Sequence, residues 1–219
     1  MDPINPWLSI WSKPKATILQ VVSEDPKRGL WILAFVYGVL ALFNVSQALA
    51  LGYVLSLFTI LFFSVVLAPI WGIICFWIWS GIVYWVGKLF KGKGNVVLIR
   101  AAYAWSCTPL IWSIVLWCVM LFVFGVSLFQ NFPENYPLLE WQIFLLFGIL
   151  VVKMIIAVWS FVIFINALAA VQQFSIGLAI LNIVVSWIVL VGLALIIWLG
   201  ISSLPHAQIP LLSIQEINW

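Results

Sequence analysis

Lys153 is the residue whose setting most asks for chemistry. It lies ten residues into the apolar run that opens at Ile143, roughly 15 Å deep if that run is helical. Even mild insertion scales charge about 2.5–3.5 kcal/mol for a lysine at such a depth, so it needs a polar partner or a task. No Asp or Glu falls inside any long apolar run. The partners on offer are Asn44 and Gln47 in the first run, Asn166 in its own run, Asn182 in the last, and carbonyls freed by bends at Pro69 and Pro109. Two readings stand side by side: a polar path for a solute, ion or lipid, or a lysine held by those groups merely to lock helix packing. The lack of buried carboxylates counts against a proton- or sodium-coupled transporter, which places such groups in its pathway.

Other chemistry is poorly supplied. His206 sits beside Pro205 and reads as a solvated loop residue. Neither a Ser/His pair nor a carboxylate pair occurs in the apolar runs, so no nucleophile faces a base and the chain is expected not to be an enzyme. Cys75, Cys107 and Cys118 are odd in number and embedded in apolar sequence, which fits packing better than a disulfide framework or a zinc site. No metal, cofactor or nucleic-acid partner is expected. The segment from Gly87 to Gly94 matches G-x-x-x-x-G-K, but Gly94 stands where a phosphate loop needs Ser or Thr, and an apolar helix precedes it instead of a strand. It reads as a flexible turn whose Lys88, Lys91 and Lys93, with Arg100 after them, attract anionic lipid headgroups, each for about 1 kcal/mol.

The elements that must hold these residues follow from composition. Of 219 residues 66% are hydrophobic and 7% charged, and the mean hydropathy is +1.26, which excludes a water-soluble domain and a disordered chain. Nothing at the start resembles a cleavable signal. Runs able to cross a bilayer, which takes about 20 helical residues, cover 30–51, 53–86, 101–129, 143–170 and 176–201. The second is too long for one upright span, and Pro69 near its middle permits a kinked span or a hairpin. The basic residues decide for one span. Lys13, Lys15, Lys27 and Arg28 precede the first run, and Lys88, Lys91, Lys93 and Arg100 follow the second; a single crossing keeps both clusters in the cytoplasm.

The expected fold is thus all-α: a polytopic bundle of five transmembrane helices, with 1–29 as a cytoplasmic N-terminal segment, 30–201 as the membrane domain and 202–219 as an outside tail. Trp31, Trp85, Trp105, Trp141 and Trp198 fall near span ends and suit the bilayer interface. From Asn5 to Glu24, Trp7, Leu8, Ile10 and Trp11 and then Ile18, Leu19, Val21 and Val22 alternate with polar residues. Pro14 suits the first turn of a helix and Asp25-Pro26 its stop, predicting two short interfacial helices that either anchor the first span or sense the membrane. Small-residue spacings such as Ala34 to Gly38, Ala48 to Gly52 and Ala102 to Ser106 permit close helix contact, within one chain or in a homo-oligomer.

Several of these segments together resemble the Ypt-interacting-protein (YIP) domain family of five-span membrane proteins, in its short prokaryotic form. They are Asn5-Pro6-Trp7 with Ile10-Trp11 and Lys13-Pro14, the turn from Gly87 to Gly94, Ala102 through Pro109, and Val171 through Ser175. The resemblance implies a five-helix bundle with a cytoplasmic N-terminus, in a bacterial-type plasma membrane. Eukaryotic members are linked to Rab-type GTPases and vesicle formation. This sequence has Pro26-Lys27-Arg28-Gly29-Leu30-Trp31 in place of their acidic-Tyr-Gly-Pro approach to the first span, and it lacks their long hydrophilic N-terminal region. GTPase binding is therefore not expected. The partners expected are anionic lipids, with a protein partner or a second copy of the chain. The function expected is membrane organisation or partner binding, with a small channel, transporter or lipid-handling protein as the alternative.

Overall fold

A computed structural model of the chain describes residues 5–132 and 137–202, and among them every regular element is helical. The elements are α1 (Pro6–Ser9), α2 (Pro14–Glu24), α3 (Leu30–Ala48), α4 (Leu57–Leu89), α5 (Val96–Ser106), α6 (Ile111–Phe124), α7 (Glu140–Gln172) and α8 (Ile176–Ser202). Short 3₁₀ turns lie at Leu51–Tyr53, Thr108–Leu110 and Gly125–Gln130. Five helical segments are long and apolar enough to cross a membrane: α3, α4, the stretch Val96–Gln130, α7 and α8. Glu134 and His206 lie outside the described residues, as does the tail after Ser202.

Helix starts and stops follow local chemistry. Asn5 accepts a hydrogen bond from the Trp7 amide at 3.1 Å and opens α1, and Pro14 sits at the first turn of α2, where its missing N–H costs nothing. Ser56 caps α4. That helix runs unbroken from Leu57 to Leu89 with Pro69 inside it, so the long second run is one element and not a hairpin. It ends in a Schellman arrangement: Gly92 N–H returns to the Gly87 carbonyl at 2.9 Å and Lys91 N–H to that of Lys88 at 3.0 Å. The match to a phosphate loop is therefore a helix terminus, whose amides are spent on its own carbonyls and on Gln172.

The third crossing departs from its predicted start. Asn95 accepts from the Leu98 amide at 2.9 Å and begins the helix at Val96, so Arg100 belongs to α5 and not to the basic turn. Its guanidinium lies over the Trp77 ring, 4.1 Å from the centroid, and its Nε reaches Ser80 Oγ at 3.4 Å. Both contacts tie α5 to α4. Pro109 falls in the 3₁₀ turn that divides α5 from α6, the break expected where a proline cannot continue the hydrogen-bond ladder.

The tightest contact is between α3 and α4. A Cβ on Gly38 would stand 1.9 Å from the Ala68 carbonyl oxygen, and one on Gly72 would stand 1.9 Å from that of Ala34. The two small-residue spacings, Ala34 to Gly38 and Ala68 to Gly72, thus face each other reciprocally across an antiparallel pair. Each glycine points an Hα at the other helix's carbonyl, a C–H···O contact that any side chain abolishes. The same register carries α4 about 13 residues, or roughly 20 Å, past the start of α3. That overhang is where α2, α5, the end of α7 and the start of α8 assemble.

Two apolar clusters result. One joins Ile10, Ile18 and Val21 of the N-terminal segment to Phe76, Ile99, Trp105, Ile163, Leu168 and Ile183. The other gathers Phe43, Ile60, Trp117, Phe124, Leu128 and Phe129 toward the opposite end. By contrast, most of α7 before Val162 and of α8 after Trp187 is exposed and apolar, as helices facing hydrocarbon are.

Candidate functional site

Three places concentrate polar or aromatic side chains. The first is the basic end of the bundle. Lys13, Lys15, Lys27, Arg28, Lys88, Lys91 and Lys93 are all exposed, and helix order places them at the end where α3 begins and α4 finishes. Arg28 pairs with Glu24 at 2.9 Å across one helical turn, while the Lys88, Lys91 and Lys93 ammonium groups meet no carboxylate among the described residues. The backbone that carries them is fixed by Gln172 at the end of α7. The Gln172 carbonyl accepts from Lys93 N–H at 3.1 Å, and its Oε1 accepts from Gly94 N–H at 3.2 Å.

Gly92 leaves room for this docking, since a Cβ there would lie 2.3 Å from Gln172 Oε1 and 2.8 Å from the Phe174 ring. Replacing Gln172 with leucine is expected to release the turn, seen as trypsin cleavage after Lys91 and Lys93 at least tenfold faster than in the wild type. Unchanged cleavage would mean that the α4 terminus alone holds the turn.

The amide of Gln172 also brings up Asn182 of α8. Both side chains are buried, at 1% and 0% exposure, and Gln172 Nε2 and Asn182 Nδ2 both lie beside Gly87 with no described hydrogen-bond partner. Asn182 therefore belongs to the junction of α4, α7 and α8, away from Lys153. Asn166 donates to the Val162 carbonyl of its own helix at 2.9 Å, and Gln47 lines neither of the cavities that follow. Of the four amides weighed as partners for Lys153, the structure brings one to it.

That one is Asn44. Lys153 and Asn44 line a cavity of about 230 Å³ with Tyr37, Leu40, Ser113 and Trp117. Lys153 Nζ stands 4.2 Å from the Trp117 ring centroid, a cation–π contact that softens the cost of its burial without neutralising it. Among the described residues, neither Lys153, Asn44 nor Ser113 makes a side-chain hydrogen bond or ion pair. Tyr37 and Leu110 are also walls of a second cavity, of about 320 Å³, ringed by Trp79, Tyr103, Phe164 and Trp187. Trp79 and Trp187 pack with centroids 5.0 Å apart, and Tyr103 meets Phe164 at 5.2 Å. Trp79 Nε1 and Ser160 Oγ, both in this lining, are buried donors without a described partner.

The walls of this aromatic cavity come from five helices, and Tyr37, Tyr103 and Phe164 are ordinary span residues that join the deep tryptophans Trp79 and Trp187 only through packing. Trp105 is a correction of a different kind. It is 1% exposed and sits in the core, whereas Trp31, Trp85, Trp141 and Trp198 are more than half exposed.

Seven exposed cations at one end, five apolar helical segments and polar side chains enclosed between them define a polytopic helical membrane protein. A family model for the Yip1 domain matches residues 8–199, and the chain belongs to that family. No curated protein and no solved structure matches it.

Proposed function

We propose that the protein is a non-enzymatic organiser of membranes or membrane partners, working from its basic end in the cytoplasm with the N-terminus on the same side. The observation that supports this most directly is the exposure of seven of its nine basic side chains at that end. They flank a turn held rigidly by Gln172, so the charges form a shaped surface rather than a loose tail. Such a surface draws phosphate headgroups or an acidic partner.

The N-terminal helices serve this surface as scaffold. Ile10, Ile18 and Val21 are fully buried against the bundle, which leaves the two N-terminal helices only Leu8 of α1 and Leu19 of α2 as exposed large apolar side chains. Anchoring is thus favoured over curvature sensing. The setting in this reading is a plasma membrane of bacterial type.

The test is native mass spectrometry of the full chain from nanodiscs of mixed phosphatidylglycerol and phosphatidylcholine. The wild type should retain anionic lipid at least fivefold over its share of the disc, and K88Q/K91Q/K93Q should lose most of that enrichment. Equal retention by both proteins would remove the basis of the reading. Lys153 and Asn44 in one cavity favour a second role, lipid handling, on separate grounds.

A further inference from the structure

The charge of Lys153 meets no carboxylate among the described residues. The described carboxylates are Glu24, Asp25 and Glu140. The first two stand at the basic end, and Glu140 opens the same helix as Lys153, about 20 Å away along its axis. Yet the ammonium is accompanied by Asn44 and Ser113, two more polar side chains without hydrogen-bond partners among the described residues. An ammonium, an amide and a hydroxyl from three apolar helices, with Ser113 buried, Lys153 half-buried and Asn44 exposed, form a site that has donors and, among the described residues, no anion.

Beside it, through the shared walls Tyr37 and Leu110, lies the larger cavity lined by aromatic rings. A small cationic site next to an apolar chamber is complementary to a ligand with a small anionic head and a long apolar tail. We propose that this pair of cavities binds a long-chain fatty acid, its carboxylate on Lys153, Asn44 and Ser113 and its chain along Tyr37 toward Trp79 and Trp187.

The depth of the site selects the carboxylate. A phospholipid would bring a phosphodiester, a glycerol and a headgroup to mid-span, more polar atoms than the Asn44 and Ser113 side chains beside Lys153 can satisfy. A carboxylate carries one charge on two oxygens, which a single lysine and two neutral donors can satisfy. The larger cavity, at about 320 Å³, falls at the lower end of the size range of small-molecule sites, with the apolar lining and few polar groups typical of them. Trp79 Nε1 and Ser160 Oγ add two free donors along the chain's path, where an oxygen substituent would find partners. The site is separate from the basic surface, so the two proposals fail independently.

The experiment is native mass spectrometry of the delipidated full chain given hexadecanoate, with hexadecanol as the uncharged probe of equal length. The wild type should hold hexadecanoate at one to one, at least tenfold more tightly than hexadecanol. K153M should lose at least tenfold in hexadecanoate retention, and K153R should keep most of it. N44D, which supplies an internal carboxylate beside Lys153, should expel the acid while preserving or raising thermal stability, so the test survives if K153M folds poorly. K88Q/K91Q/K93Q should bind hexadecanoate as the wild type does. Equal retention of acid and alcohol would overturn the proposal. So would hexadecanoate binding that survives both K153M and N44D, or a phospholipid retained at one to one and lost in K153M.

Discussion

Gly38→Leu and Gly72→Leu are each expected to prevent α3 and α4 from assembling, leaving protein that extracts into detergent as aggregate. The alanine variants grade the effect. A Cβ at either position meets a backbone carbonyl at 1.9 Å, and a backbone atom cannot swing aside as a side-chain tip does. The helices must part, with loss of the surrounding contacts of Ala34, Val39, Ile60 and Ala68, all buried. Overpacking of this kind costs about 1–3 kcal/mol for the smallest insertion, so Gly38→Ala and Gly72→Ala should each lower the thermal midpoint by several degrees.

The two losses should not add, because both substitutions open the same interface. Gly81 provides the control on α4: nothing lies within 4 Å of the Cβ it would receive, and Gly81→Ala should be neutral or raise stability by up to about 1 kcal/mol through helix propensity. Thermal scans of purified protein, followed by loss of monodispersity, separate the cases. Gly38→Ala and Gly81→Ala behaving alike would show that the helices slide freely over one another.

That contact also marks how far the sequence can be read. The spacing of Ala34 and Gly38 announces a close approach, but Ala68 and Gly72 surround a proline in the longest apolar run, where the eye goes to the break and not to the partner. Five crossings were legible because apolar length and charge placement are properties of single segments. Arg100 was misplaced because one asparagine cap outweighs the apolar boundary: Asn95 starts the helix and carries the arginine into it.

The same limit governs the polar site. Depth alone identified Lys153, and chemistry alone named four amides. Which of them meets the lysine depends on the rotation of α3 against α7, which no residue count supplies. Asn182 finds Gln172 instead, at a junction created by the overhang of α4, and that overhang exists only because the two glycines set the register. The aromatic cavity was hidden for a further reason: its walls come from five helices, and only their packing brings Tyr37, Trp79, Tyr103, Phe164 and Trp187 around one space.

Trp105→Ala is expected to undock the whole N-terminal segment while leaving the five long helices formed. Trp105 is 1% exposed, and three features converge on it. Its Nε1–H donates to the Arg28 carbonyl at 3.1 Å, its ring packs against Trp7 with centroids 4.8 Å apart, and Gly29 lies on its edge. Gly29 takes φ +71°, and a Cβ there would stand 3.1 Å from the indole, so both its backbone conformation and the space beside it call for glycine. Through these contacts the tryptophan of α5 fixes the corner between α2 and α3 and the first turn of α1 at once. Truncating a buried tryptophan to alanine costs about 3–5 kcal/mol, and here the loss falls on a segment held to the bundle by little else than the cluster around Ile10, Ile18 and Val21. Limited trypsinolysis should then cut after Lys15 and Lys27 at least tenfold faster than in the wild type, with the long helices still protected. Trp105→Phe keeps the ring volume in part and removes the hydrogen bond, a loss of about 0.5–1.5 kcal/mol, so its cleavage rate should fall between the two. Wild-type cleavage in Trp105→Ala would mean that α2 docks through its own apolar face alone, and Trp105 would then be a packing residue of α5 without influence on the basic end.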